Sequence, residues 1–187
     1  PLKAKECNLL ADGGGAMVVT SREIAKEMGD KAVYKLGHGT RFMSATPMLR
    51  KDVFHRQSYR ESSQDALAQA GLSIHDMDLR QIYGAYPYTQ ASALEGYGVC
   101  EEGQGAKLWA EGRCSPGGDI PCTTMGDATG RGHTGSGVSM AFYLDTVRQL
   151  RGEAGERQVQ NCEHAILTTS GGSVMNTCTT VFGRSAQ

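Results

Sequence analysis

The sequence predicts an α/β fold built on a mixed β-sheet with helices on both faces. Three observations predict it. Strand-like and helical patterns alternate through the first half of the chain, and two strand-like runs joined by Ser170-Gly171-Gly172-Ser173 close it as a hairpin. Between them, Pro116 to Gly137 is dense in Gly, Thr, Pro and Asp without an apolar period, so it reads as a loop with a purpose in front of the strongest helical pattern.

The elements follow in order. Gly15-Ala-Met-Val-Val-Thr-Ser21 is apolar, carries β-branched residues and follows Asp12-Gly-Gly-Gly, so it reads as a buried strand. Ser21 caps the next helix, whose first turns carry Glu23 and Glu27 where the dipole favours acids, and Gly29 lies just past its end. Residues 31–39 alternate apolar and polar side chains, with Val33 and Leu36 among the apolar ones, and read as a second strand. From Val53 to Ala70 the pattern is helical, with Tyr59, Ser63, Ala66 and Ala70 on one face, Gly71 as the stop and Leu72 packing after it. Residues 76–85 give a strand anchored by Leu79 and Ile82. A short helix follows Pro87, carrying Ala91, Leu94 and Glu95 and stopping at Gly96 to Gly98, and another spans residues 104–111. The helix over residues 135–153 has Met140, Leu144, Val147 and Leu150 or Arg151 marking its turns. Strands at residues 164–169 and 174–182 end the chain.

With 187 residues the chain is long enough for one good core. A net charge of -1 with 21% charged residues leaves no polybasic field for nucleic acid or an anionic membrane. No apolar run reaches the roughly 18 to 20 residues of a membrane span, and Pro1 to Glu6 has no signal-peptide pattern, so the expectation is a soluble, cytoplasmic protein. Six cysteines without a Cys-x-x-Cys pair read as free thiols rather than a zinc site, and no metal is expected. The opening Pro1-Leu-Lys-Ala-Lys5 lacks an initiator Met, which reads as a piece of something longer.

Three segments in order resemble the thiolase superfamily, in particular its sterol-carrier-protein-type members. Asp12-Gly-Gly-Gly-Ala-Met-Val-Val-Thr-Ser21 is similar to the Asp-Gly-Ala-Ala-Ala strand closing a thiolase N-terminal domain. Ile82-Tyr-Gly-Ala-Tyr-Pro-Tyr-Thr-Gln90, continuing to Cys100, resembles the block that begins His-Asp-Cys-Phe or Asn-Glu-Ala-Phe. Pro121 to Gly137, with Gly132-His-Thr-Gly-Ser-Gly137, resembles the Gly-His-Pro-x-Gly-x-(Ser or Thr)-Gly segment. The resemblance implies a thiolase-like fold of which this chain is the C-terminal half, part of a five-layer α/β/α/β/α assembly. Residues 1–26 would be the final strand and helix of the N-terminal domain and 27–187 the C-terminal domain. It further implies a homodimer, with a small accessory subunit in some relatives.

The resemblance also implies roles. His133, behind a Gly-rich loop and before a long helix, would activate the nucleophilic cysteine of the absent first half and help bind the thioester oxygen. Tyr83, at the His or Asn position, would donate to the same oxygen; a tyrosine at a strand end packing into the core is the equal alternative. Ala85 and Tyr86 match positions bordering the acyl thioester, and Thr169, Ser170, Gly171 and Gly172 match the loop of the family's second cysteine. Two departures stand out: that cysteine position is Thr169 here, and the cysteine of His-Asp-Cys-Phe is Ala85, so no thiol base stands at either place. Asp127 reads either as a replacement base or as a loop-capping carboxylate. Thr134 reads as a cap for the long helix.

The function implied is therefore the C-terminal part of a coenzyme A-dependent acyltransferase, working on an acyl-CoA or 3-ketoacyl-CoA, with no covalently bound cofactor and with the coenzyme A thioester as substrate. The isolated piece would be inactive without its N-terminal thiolase half. The alternatives are a thiolase-fold lyase cleaving a β-hydroxyacyl-CoA by retro-aldol chemistry and a non-catalytic acyl-CoA or lipid binder.

Overall fold

The computed structural model describes residues 3–43, 56–171 and 176–186. Its centre is a four-stranded sheet of β1 (Tyr34–Phe42), β2 (Leu79–Ile82), β3 (His164–Gly171) and β4 (Asn176–Gly183), in the order β1-β4-β3-β2. The pairs β1/β4 and β4/β3 are antiparallel and β2/β3 is parallel, so the sheet is mixed, as the pattern predicts. Among the described residues six α-helices accompany it: α1 (Arg22–Glu27), α2 (Arg56–Ala70), α3 (Pro87–Tyr97), α4 (Gly105–Ala110), α5 (Ala128–Arg131) and α6 (Val138–Arg151). No helix among the described residues is long and apolar enough to cross a membrane.

The two faces of the sheet hold separate cores. Ile82, Ile166 and Val181 point to one face and pack with Tyr59, Ala66 and Leu67 of α2 and Ala93, Leu94 and Tyr97 of α3. Leu79, Ala165, Leu167 and Phe182 point to the other, under Val138, Phe142 and Leu150 of α6. The strand period of two sends alternate residues to opposite layers, which is why both faces are apolar. On the first face α2 rides directly on the backbone of β1. A Cβ at Gly37 would fall 1.9 Å from the Ala66 carbonyl oxygen and one at Gly39 2.1 Å from that of Ser62.

Four expectations change. The run from Gly15 to Ser21 forms no strand: it is irregular, and Val18 and Val19 are 93% and 82% exposed. A strand requires a neighbour for its N–H and C=O groups, and none pairs with this run among the described residues. Ser21 nevertheless caps α1, accepting from the Ile24 N–H at 3.4 Å, and Gly29 follows with φ of +56°. On α6 the buried stripe is Val138, Phe142, Asp145, Thr146, Gln149 and Leu150 rather than Met140, Leu144 and Val147. The polar members of that stripe are paired inside: Asp145 accepts from Gln81 at 2.6 Å, Thr124 at 3.0 Å and Arg157 at 2.7 Å. Apolar periodicity therefore selects the flank of the helix, where Met140 and Leu144 lie under Gly15. The hairpin register also shifts. Ser170 and Gly171 belong to β3, with Gly171 opposite Asn176, while Gly172 and Ser173 lie outside the described residues. Finally β2 is only four residues long, because Ile74–Asp76 is taken up by a 3₁₀ turn closed by the Ser73–Asp76 pair.

Gly37→Ala pushes a methyl into the α2 backbone and is expected to destabilise the protein by about 2 to 3 kcal/mol, since core overpacking that a backbone carbonyl cannot relieve sits at the upper end of its range. Chemical denaturation of the variant, with an unchanged midpoint as the contrary result, checks this.

Candidate active site

The ends of β2 and β3 and the loop before α6 converge at one place. Tyr83 directly follows β2, and its N–H donates to the Thr168 carbonyl at 2.9 Å, continuing the ladder by one residue. That fixes where the phenol starts. Its ring stands edge-on to Phe142 of α6, with centroids 6.1 Å apart at 90°. Its Oη lies 2.8 Å from Nε2 of His133.

His133 is held just as firmly. Its N–H donates to the Leu9 carbonyl at 2.6 Å and its carbonyl accepts from Ala11 N–H at 3.2 Å, so residues 9 to 11 bracket it as a short parallel bridge. Gly132 makes this approach possible. Its φ is +95°, and a Cβ there would sit 2.5 Å from the Ala11 Cβ. On the ring, Nδ1 accepts from the Gly135 N–H at 3.1 Å. In the neutral imidazole the proton is therefore on Nε2, which donates to the Tyr83 oxygen and leaves the phenolic O–H free to donate elsewhere. Burial, with the nearby Asp127 charge second, holds the Tyr83 phenol above its ordinary pKa, so it stays protonated around neutrality and acts as a donor.

A cleft of about 540 Å³ opens beside this pair. Tyr83, His133, Gly135, Val138 and Ser139 form one wall, Thr169, Ser170 and Gly171 at the end of β3 another, and Asn176 to Cys178 of β4 with Thr40 and Phe42 of β1 the third. The structure thus brings together Tyr83, His133, Thr169, Ser170 and Gly171 of the predicted site. Gly172 lies outside the described residues.

Ala85 and Tyr86 do not line this cleft. The chain turns away at Gly84 toward Pro87, and Tyr86 becomes the residue before α3, 36% exposed, with its ring stacked on Tyr88 at 6.0 Å and its carbonyl accepting from Thr89. The cause of the turn is Asp127. Its Oδ1 accepts from the Gly84 N–H at 3.0 Å and from the Ala128 N–H at 2.6 Å, so one carboxylate oxygen ties the end of β2 to the start of α5. Asp127 lines a neighbouring cleft of about 490 Å³ on the other side of the 132–138 loop, not the cleft of Tyr83 and His133. Its carboxyl is pushed above the usual range by burial, partly offset by those N–H groups and by Gln90. Thr134 does not cap through its hydroxyl; its carbonyl accepts from Gly137 N–H at 3.3 Å.

Cys178, Thr40 and Asn176 are site-lining residues that sequence reasoning missed. Cys178 stands directly across the ladder from Thr169. The pairing of Gly171 with Asn176 gives that register, and the alternation of Asn176-Thr-Cys-Thr is the signal that was available for it.

Comparison with known proteins agrees with this architecture. The family described as "Thiolase C-terminal domain-like" matches residues 43–184. An acetyl-CoA acetyltransferase of Methanothermobacter thermautotrophicus is 28% identical over 184 residues, covering 98% of this chain and 48% of that protein. The 17-hydroxy-3-oxo-4-pregnene-20-carboxyl-CoA lyase of Mycobacterium tuberculosis is 27% identical over 183 residues, covering 92% of this chain and 45% of that protein. Among solved structures, a monomeric SCP2-thiolase-like protein type 1 from Mycobacterium smegmatis superposes with a TM-score of 0.66 at 19% identity, covering 88% of this chain and 32% of that one, a likeness of fold. A mixed sheet with helices on both faces is the fold this chain shares with that solved structure. The chain belongs to the thiolase C-terminal domain-like family, and it spans about half the length of the curated relatives it matches.

Asp127→Ala removes a helix cap and leaves the Gly84 N–H without its acceptor, and is expected to cost about 2 to 3 kcal/mol. The pH dependence has a definite sign. Folding raises this carboxyl's pKa, so its contribution is most favourable below the unfolded value and is lost as pH rises through the folded one. Denaturation of wild type and Asp127→Asn across the carboxylate range is expected to show the wild type losing stability relative to the variant as pH rises; a constant difference contradicts it.

Proposed function

We propose that this chain is the C-terminal part of a coenzyme A-dependent acyltransferase, and that the cleft beside Tyr83 and His133 receives the thioester of an acyl-CoA or 3-ketoacyl-CoA. The single observation that carries the reading is the 2.8 Å contact between the phenol and the imidazole at the mouth of that cleft. A thioester carbonyl gains negative charge as it is attacked or as its α-carbon is deprotonated. Donors aimed at that oxygen lower the barrier for either step. The phenolic O–H is available for this, and the imidazole Nε2–H orients the phenol by donating to its oxygen. The cysteine nucleophile belongs to the first half of the enzyme, in line with the 48% coverage of the related acetyltransferase. Residues 1–26 go with that half, and the exposed apolar side chains Leu9, Leu10, Val18 and Val19 are where it packs.

In the complete polypeptide, thiolysis of a 3-ketoacyl-CoA is expected to fall by about a hundredfold or more for Tyr83→Phe, the range for losing one oxyanion donor, and by up to about a hundredfold for His133→Ala, which loses the group that orients it. Rates within a few-fold of wild type for both remove the roles assigned to them.

A second reading has its own support. Thr169 and Ala85 leave no thiol base where classical and sterol-carrier-protein-type thiolases carry one, and one similar relative is a lyase acting on an acyl-CoA by its name. Under this reading the same pair handles the proton of a β-hydroxyl while the Cα–Cβ bond breaks. Incubating the complete protein with a β-hydroxyacyl-CoA and with a 3-ketoacyl-CoA plus coenzyme A separates the two: ketone or aldehyde release from the first supports the lyase, and acyl-CoA formation from the second supports the transferase. Binding without either product leaves only the acyl-CoA binder.

A further inference from the structure

β1 carries side chains that the Tyr83 and His133 pair does not use. Gly37 and Gly39 lie against the α2 backbone, so the strand period of two turns His38 and Thr40 to the opposite face of the sheet. There Thr40 stands across the ladder from Cys178, which in turn stands across from Thr169, and all three line the cleft of about 540 Å³. Thr40 thus borders the cleft from a different wall than Tyr83 and His133.

The Thr40 hydroxyl has a base beside it. Its Oγ1 lies 3.0 Å from Nε2 of His38, and Nδ1 of the same ring lies 3.3 Å from Oγ1 of Thr180. With the ring proton on Nδ1, that N–H donates to Thr180 and the free Nε2 accepts the Thr40 O–H, so both ring nitrogens are satisfied. The His38 backbone is pinned as well: its N–H donates to Gln69 Oε1 at 3.2 Å and its carbonyl accepts from the Gln69 amide at 2.7 Å. Burial, with the Lys35 charge second, holds His38 below its ordinary pKa, so the ring is neutral and able to take a proton around neutrality. A hydroxyl within reach of a neutral imidazole, whose far nitrogen is held by a third group, is the arrangement that makes a nucleophile of a weak alcohol.

We propose that Thr40 is an acylation site within this chain, a nucleophile that takes the acyl group from a thioester in the cleft with His38 as its base. The proposal rests on the reading that this cleft admits an acyl thioester. Thr40 Oγ1 attacks the carbonyl carbon and its proton passes to His38 Nε2. The C–O bond forms, the C–S bond breaks, and the departing sulfur takes that proton and leaves as a thiol. Water then attacks the Thr40 ester while His38 takes one of its protons. The ester C–O bond breaks and the Thr40 oxygen recovers the proton. One thioester and one water give one carboxylic acid and one thiol, with nothing oxidised or reduced, so the activity added is thioester hydrolysis. Cys178 is the rival acceptor in the same cleft, but no base is hydrogen-bonded to its sulfur among the described residues.

The test is incubation of the complete polypeptide with acetyl-CoA and, separately, with p-nitrophenyl acetate, an activated ester that needs no coenzyme A pocket. Acid quenching, treatment with neutral hydroxylamine to strip thioesters, and peptide mapping follow. The expected result is an acetyl ester on Thr40, kept in Thr40→Ser, lost in Thr40→Val, and formed about a hundredfold more slowly or worse in His38→Ala, the range for losing a general base. Should His38→Ala not fold, the contrast between Thr40→Ser and Thr40→Val carries the test. An acetyl group that sits on Cys178 or a lysine with none on Thr40, ester formation unchanged in His38→Ala, or a neutral His38 ring that nitrogen NMR finds protonated on Nε2 overturns the proposal. A thioether analogue of acetyl-CoA separates it from the reading it rests on. If the analogue binds and shifts the His133 ring resonances while Thr40 stays free with both acyl donors, the Thr40 and His38 pair fails alone; if the analogue does not bind and p-nitrophenyl acetate still esterifies Thr40, the cleft reading fails and the pair stands.

Discussion

The hydrogen bond between the Tyr83 phenol and the His133 imidazole joins parts of the chain 50 residues apart, and the local structure around it exists to hold both ends still. On one side the β2/β3 ladder delivers Tyr83, and Phe142 sets its ring. On the other, Leu9 and Ala11 grip the backbone on either side of the His133 Cα, an approach that needs Gly132. Asp127 spans the gap, binding the residue after Tyr83 with the same oxygen that starts α5. Under the proposed function the site meets a developing charge, for which donors that do not reorganise are an advantage, and here Phe142 holds the Tyr83 ring while the Gly135 N–H holds the His133 ring.

The interior below the cleft is more polar than an α/β core of this size requires. The Ser62 and Thr179 hydroxyls lie 2.9 Å apart, Thr179 and Thr168 2.7 Å apart, and the Tyr97 O–H donates to Thr168 at 2.5 Å. This chain of hydroxyls links α2, β4, β3 and α3 directly behind the strand ends that form the cleft. On the opposite face Asp145 collects Gln81, Thr124 and Arg157 under α6. Both networks are satisfied at their centres, and a satisfied buried network fixes register more strictly than apolar packing does. Register matters here, because a slip of one residue in β3 would exchange the faces on which Thr169 and Ser170 lie.

Much of this was legible in the sequence. Glycines at helix ends, the Ser21 cap, the α2 stripe and the Gly-rich loop before α6 all carry local signals that tertiary structure respects. The resemblance implied that Tyr83 and His133 meet at one site, beside the equal alternative of a core-packing tyrosine, and the 2.8 Å contact brings the two together. What sequence did not carry was context. Gly15 to Ser21 has strand composition, yet composition does not supply a neighbouring strand. The α6 stripe hides behind Asp145 and Gln149, polar residues that burial tolerates only because partners from β2 and two loops reach them. Cys178 lines the cleft because of a strand register, Gly171 opposite Asn176, that differs from the one the sequence predicts.

The most direct measurement of the central claim is nitrogen NMR of the chain labelled at histidine. The account predicts that the neutral His133 ring shows an unprotonated Nδ1 and a protonated Nε2, and that Tyr83→Phe shifts the Nε2 resonance while leaving Nδ1 in place. A ring protonated at Nδ1, or a His133 spectrum indifferent to the loss of the phenol, would contradict it.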